Sequence, residues 1–124
     1  LAKAQALVAR HLVAAGATRL DALALDQCGE AFDVVINATA SSLQGGAIPV
    51  AATTLKPRAL AVDLMYGAAA QPFLLWASAH GALPRDGLGM LVEQAAESFL
   101  LWRGVRPDTA PALAALRARM AAPW

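Results

Sequence analysis

The sequence predicts an α/β fold, one side of an open parallel sheet with helices packed against it. Phe32 to Ala38 and Ala59 to Leu64 are short apolar runs that each end in a loop, the pattern of a buried parallel strand opening into a crevice. Apolar residues at helical spacing recur before and after this pair, with Gly, Pro and Asp where helices start and stop.

Taken in order, Leu1 to Ala15 sets Leu1, Ala4, Val8, Leu12 and Ala15 at helical spacing and stops at Gly16, a common residue just past a helix end. Leu23, Ala24 and Leu25 read as a short strand, and Gln27 to Ala31 as a connecting turn or short helix. The β-branched centre of Phe32-Asp33-Val34-Val35-Ile36-Asn37-Ala38 marks the next strand, closed by the polar cluster Thr39 to Ser42. Leu43 to Pro57 is rich in Gly, Pro and Thr and reads as loop with one turn of helix. Ala59-Leu60-Ala61-Val62-Asp63-Leu64 is the following strand. Pro72 suits a first helical turn, where its missing N–H has no partner to lose, and the helix runs over Phe73 to His80 up to Gly81. Two last helices are expected from Gly87 to Arg103 and from Thr109 to Ala122. Asp86 and Asp108 stand at their starts, where a carboxylate accepts from free N–H groups and meets the positive end of the dipole.

The totals exclude several classes. With 124 residues, 58% of them hydrophobic and 15% charged, the chain has the apolar content for one folded core and lacks the composition of a disordered segment. A formal charge of +1 lacks the basic excess that tracks phosphates, so no nucleic-acid partner is expected. The single Cys28 has no disulfide partner and no companion ligands at zinc spacing, so a cytoplasmic setting and a small apolar or surface role are expected. Leu64 to Pro84 carries no Asp, Glu, Lys or Arg, yet Gly67, Gln71, Pro72, Ser78 and His80 interrupt it. It therefore reads as buried loop and helix and not as a membrane span. The chain opens in mid-pattern without an initiator Met or a signal peptide, and reads as truncated at its front.

Ligands of open α/β sheets sit beyond the carboxyl ends of the strands. Three groups fall there by sequence: Asn37 to Thr39, Asp63 to Tyr66, and the glycine-rich start of the Gly87 helix. Each also has a structural explanation, since Asn and Thr after a strand form turns and a lone Tyr packs its ring. At about 100° per residue, Leu88, Leu91, Val92, Ala95, Phe99 and Trp102 gather on one face of the last-but-one helix, and Gly87, Met90 and Gln94 on another. Gly87 and Gly89 weaken a helix but let a flat ring approach its backbone, and Gln94 can donate and accept towards a hydroxyl or carboxylate. The same residues also describe a helix with a soft start and one exposed amide, so both readings stay open. Lys3 and Lys56 have no carboxylate partner marked by spacing, His11 and His80 lie in or at the ends of helical patterns, and Asp63 and Asp86 are explained as strand-end and cap residues. None of these is assigned as a catalytic acid or base.

These segments, in this order, resemble the C-terminal part of shikimate dehydrogenases. Asn37-Ala38-Thr39 with Ser41 and Ser42 is similar to that family's Asn-Ala-Thr loop, Asp63-Leu64-Met65-Tyr66 to its strand end, and Pro72-Phe73-Leu74 to the helix start that follows. The most specific match is Asp86-Gly87-Leu88-Gly89-Met90-Leu91-Val92-Glu93-Gln94-Ala95-Ala96 with Phe99 and Trp102; Leu1 to Gln27 match only loosely. The resemblance implies part of a Rossmann-type, doubly wound NADP-binding domain with C-terminal helices, spanning residues 1–124. It also implies reversible, NADP-dependent reduction of 3-dehydroshikimate to shikimate, a step in aromatic amino acid biosynthesis. Carried over, Thr39 and Leu64 would touch the cofactor near its nicotinamide end, Gly87 would lie against the nicotinamide amide, and Met90 would pack near that ring. Tyr66 and Gln94 would meet the substrate.

The departures bear on the same assignment. The family's paired Lys and Asp lie in an N-terminal substrate domain, and its glycine-rich phosphate loop and Asn-Arg-Thr run lie just upstream of a segment like Leu1 to Ala15; none of these is in this chain. Ala40 separates Thr39 from the serines, Leu43 stands where Gly is common, and Gln71 replaces the usual Thr before Pro72. Two other readings stand beside the first: an NAD-using quinate/shikimate dehydrogenase, and a catalytically inert binding or assembly fragment.

Overall fold

The computed structural model describes residues 1–11, 19–39, 48 and 50–121. Its elements are α1 (Ala2–His11), β1 (Phe32–Asn37), β2 (Leu55–Asp63), α2 (Gln71–Ala79), β3 (Leu83–Arg85), α3 (Leu88–Arg103) and α4 (Ala110–Ala121), with single 3-10 turns at Leu25–Gln27, Ala52–Thr54 and Gly67–Ala70. The end expected for the first helix, Leu12 to Gly16, lies outside the described residues, as do Ser41, Ser42 and Leu43.

All three strands are parallel, in the order β1-β2-β3. Three corrections to the sequence reading follow. Leu23 to Leu25 form no strand; the chain there is irregular and enters the Leu25–Gln27 turn. β2 starts at Leu55, inside the segment expected to be loop, and β3 was not anticipated at all. Three residues separating a helix from a helix are too few to show a strand period.

Pro57 enters β2 through an irregularity. Phe32 pairs with Leu55 but Val34 pairs with Leu60, so β2 carries extra residues between these rungs. Arg58 sits there at φ 64°, with its N–H donated to the carbonyl of Gly81 at 2.8 Å. Proline survives in a strand at such a bulge because no ladder donor is needed from it.

The core lies between the sheet and α2, with Leu55, Ala59 and Ala61 of β2 against Phe73 and Ala77 of α2, and Ala82 beside them. Phe73 is 2% exposed and stacks at a tilt on Trp76, ring centres 5.6 Å apart. Burial of a side chain of that size stabilises by roughly 1.5–3 kcal/mol. β1, expected to be buried, is so only in part: Val35 packs against the core and Asn37 is buried, while Phe32, Val34 and Ile36 are exposed on its outer face.

α3 buries Leu88, Val92 and Ala96, one residue per turn. The wider apolar face expected from the sequence is corrected accordingly, since Ala95, Phe99 and Trp102 are exposed and Trp102 is 80% so. Gly104, at φ 72°, ends the helix by donating its N–H to Leu100 at 2.8 Å. No helix among the described residues is long and apolar enough to cross a membrane.

Candidate functional site at the carboxyl ends of the strands

Parallel pairing brings the ends of β1 and β2 side by side, Asn37 opposite Asp63, and the Leu64 N–H continues the ladder to the Asn37 carbonyl at 3.0 Å. The side chains repeat that link. Asn37 Nδ2 donates to Asp63 Oδ2 at 3.0 Å, while Asn37 Oδ1 accepts from the Thr39 N–H at 3.1 Å and the Thr39 hydroxyl at 2.7 Å. Asp63 Oδ1 accepts from the Met65 N–H at 2.8 Å. Both Asn37 and Asp63 are buried. They act as struts that shape two loops, with Asp63 the last residue of β2.

The start of α3 closes onto this corner. The Gly87 N–H donates to the Met65 carbonyl at 2.8 Å. A Cβ on Gly87 would stand 2.2 Å from the Leu64 carbonyl oxygen and 2.6 Å from its carbon. Close approach therefore requires glycine here, and the approaching group is the β2 loop. Its φ of −78° is open to any residue, so backbone conformation is not the reason. Gly89 differs, since nothing lies within 4 Å of its Cβ position.

Thr39, Leu64 and Gly87 thus belong to one hydrogen-bonded corner, running from Thr39 through Asn37, Asp63 and Met65 to Gly87. Tyr66 follows on the same loop, half exposed, and Met90 stands one turn into α3 at 47% exposure. Gln94 is exposed further along α3 and lines a groove of about 630 Å³ between α3 and α4, walled by Phe99, Trp102 and Leu116. Thr39 lines a different, smaller cavity of about 70 Å³ with Val35, Ile48 and Phe73. The structure joins the Thr39, Leu64 and Gly87 positions directly, and Gln94 lies about two turns further along α3.

Electrostatics concentrate at the α3 start. Asp86 accepts from both terminal nitrogens of Arg117 on α4 and, through Oδ1, from the Leu88 N–H at 3.3 Å. The Arg117 hydrogen bond outweighs burial and holds the Asp86 carboxyl below its usual value, and raises the Arg117 guanidinium in return. Sequence reasoning identified the cap but had no signal for Arg117, which lies a full helix away. The connection between α3 and α4 is tied back to α3, with Arg106 bridging Glu93 at 2.8 Å and Glu97, and Thr109 donating to Glu93 at 2.7 Å. Asp108 caps α4 through the Ala110 N–H at 3.0 Å.

Lys56 and His80, two of the other titratable candidates, have structural partners. Lys56 pairs with Asp33 across the strands at 2.6 Å, a partner that spacing did not mark. His80 follows α2 with Nδ1 2.7 Å from the Trp76 carbonyl. Cys28 is half-buried near the Thr54 hydroxyl, and no group of three or more metal-ligating side chains occurs among the described residues.

Residues 87–117 match the profile of the Shikimate 5'-dehydrogenase C-terminal domain. A shikimate dehydrogenase (NADP(+)) of Acidovorax ebreus is 65% identical over 123 residues, covering 98% of this chain and 44% of that protein. Its counterpart in Methylibium petroleiphilum is 62% identical over 118 residues, covering 94% of this chain and 40% of that protein. Among solved structures, an Ael1 enzyme from Pseudomonas putida superposes with a TM-score of 0.62 at 45% identity, over 77% of this chain and 34% of that one. Shikimate 5-dehydrogenase from Thermus thermophilus, in complex with shikimate, gives a TM-score of 0.55 at 34% identity, over 73% of this chain and 34% of that one. The chain spans less than half the length of the curated relatives it matches.

Proposed function

Because the chain belongs to the shikimate dehydrogenase family, we propose that it supplies the nicotinamide-facing part of an NADP-dependent enzyme interconverting 3-dehydroshikimate and shikimate. The observation that carries this reading is the corner in which Thr39, Leu64 and Gly87 are tied together at the carboxyl ends of parallel strands, where open α/β sheets take their ligands.

The residues present fit one end of the cofactor. Thr39 offers a hydroxyl at the rim, Leu64 an apolar edge whose carbonyl packs against Gly87, and Met90 a half-exposed thioether one turn on. NADP, when bound, supplies the hydride acceptor for the alcohol carbon. This chain's share is orientation. Thr39, Leu64, Gly87 and Met90 hold the ring and exclude water, while Tyr66 and Gln94 hold the sugar-like substrate by hydrogen bonds.

Among the described residues, Asp63 and Asp86 are engaged in hydrogen bonds that shape the corner and are not assigned the proton transfer at the reacting hydroxyl. Residues 1–124 alone are therefore expected to turn over no shikimate. The chain is one part of a longer catalytic unit in this reading, and residues 1–124 are its C-terminal NADP-domain portion.

The test joins the upstream portion of the Acidovorax ebreus relative to residues 1–124 and follows shikimate-dependent NADP reduction. Gln94→Ala is expected to raise the KM for shikimate about tenfold, the loss of roughly one hydrogen bond to substrate, with the KM for NADP unchanged. An unaltered shikimate KM removes Gln94 from the substrate site.

A further inference from the structure

We propose that Arg117, a helix away from the site in sequence, is a positioning residue for it, fixing through Asp86 the first turn of α3 and with it the Gly87 and Leu64 surface. The inference rests on the function proposed above and extends it to a residue that meets neither cofactor nor substrate.

The Asp86 side chain is 8% exposed, whereas that of Arg117 is 49% exposed. Both carboxylate oxygens are bound by the planar guanidinium, whose two-pronged geometry fixes the orientation of the carboxylate as well as its distance. The same carboxylate receives the Leu88 N–H, so the turn that presents Gly87 is held from the α4 side. On its other side Gly87 is held by the Met65 carbonyl and pressed against the Leu64 carbonyl with no room for a Cβ. Clamped between the two, the first turn of α3 has little freedom to rotate. Without Arg117 the mostly buried carboxylate loses its two-pronged partner, is left with weaker backbone bonds such as the 3.3 Å bond to Leu88, and turns towards water, moving the helix start with it.

A structural alternative is that the pair merely fastens α4 to α3. The Arg106 bridge to Glu93 and Glu97 ties the connection before α4 to the middle of α3, away from Gly87, and is the control. In the joined protein described above, Arg117→Gln is expected to lower kcat about tenfold at saturating shikimate and NADP, since sub-ångström misplacement of reacting groups costs rate. Arg117→Lys, which keeps the charge but not the two-pronged geometry, recovers part of that loss. Arg106→Gln lowers the melting temperature yet keeps kcat within about twofold. Adding Asp86→Asn to Arg117→Gln brings no further loss, because both remove one link.

The proposal is overturned if Arg117→Gln keeps the parental kcat, or if Arg106→Gln loses as much as Arg117→Gln. Should the unsubstituted protein fold yet oxidise no shikimate, the proposed function falls on its own. Amide exchange at Gly87 and Leu88 then decides the positioning role: Arg117→Gln accelerates it and Arg106→Gln does not, and equal exchange in both overturns it.

Discussion

Replacing Gly87 by Ala tests the corner where the β2 loop meets α3. The added Cβ would stand 2.2 Å from the Leu64 carbonyl oxygen where ordinary contact begins at 3.4 Å, so the two backbones must separate by about 1.2 Å. Neither is a flexible side-chain end that can swing aside. Overpacking of this kind costs roughly 1–3 kcal/mol. The 2.8 Å hydrogen bond from Gly87 to Met65 spans the same gap and is lost or stretched, at about 0.5–1.5 kcal/mol. A destabilisation of about 2–4 kcal/mol is therefore expected, read as a lowered urea midpoint at unchanged slope. Gly89→Ala is the companion: with nothing within 4 Å of its Cβ position, it should hold or gain stability, by up to about 1 kcal/mol from helix propensity. A Gly87→Ala protein within about 0.5 kcal/mol of the parent would refute the close approach.

Arg58→Gly removes a left-handed residue from the β2 irregularity, at φ 64°, and should stabilise by roughly 0.5–1 kcal/mol, the left-handed cost of about 1–2 kcal/mol less the entropy of an added glycine. A lowered melting temperature would mean that the Arg58 side chain contributes more than its backbone costs. The Asp86 carboxyl is held below its usual 3.8, chiefly by Arg117, so its stabilisation is fully present above about pH 5 and lost as the pH falls through the lowered folded value. The stability gap between the parent and Asp86→Asn should therefore be widest near neutral pH and close in acid; a gap independent of pH from 7 down to 3 would contradict the ion pair.

Much of this fold was legible because the signals are local. Pro72 at the first turn of α2, and Asp86 and Asp108 ahead of their helices, act through the backbone groups of their immediate neighbours, which spacing alone reveals. The apolar runs Phe32 to Ala38 and Ala59 to Leu64 marked β1 and most of β2, each one residue past the observed strand end, and with them the edge that carries Thr39, Leu64 and Tyr66. β3 escaped notice because it exists only by pairing with Leu60 to Val62 of β2. The breadth of the buried face of α3 was overestimated because helical spacing states which side chains share a face and not how much of it a neighbour covers. Phe99 and Trp102 lie on the apolar side and remain exposed.

Sequence by itself determined the α/β class, the starts of α2, α3 and α4 to within about two residues, the family resemblance, and which short segments follow the strand ends, since each is written in a few contiguous residues. Only the tertiary structure decided how those segments act on one another. It showed that Gly87 is required by the Leu64 carbonyl, that Asn37 and Asp63 are buried struts between two loops, and that Arg117 holds the capping carboxylate from another helix. These are contacts between residues about 23 to 31 positions apart, and their energies depend on ångström-scale separations that no one-dimensional pattern records.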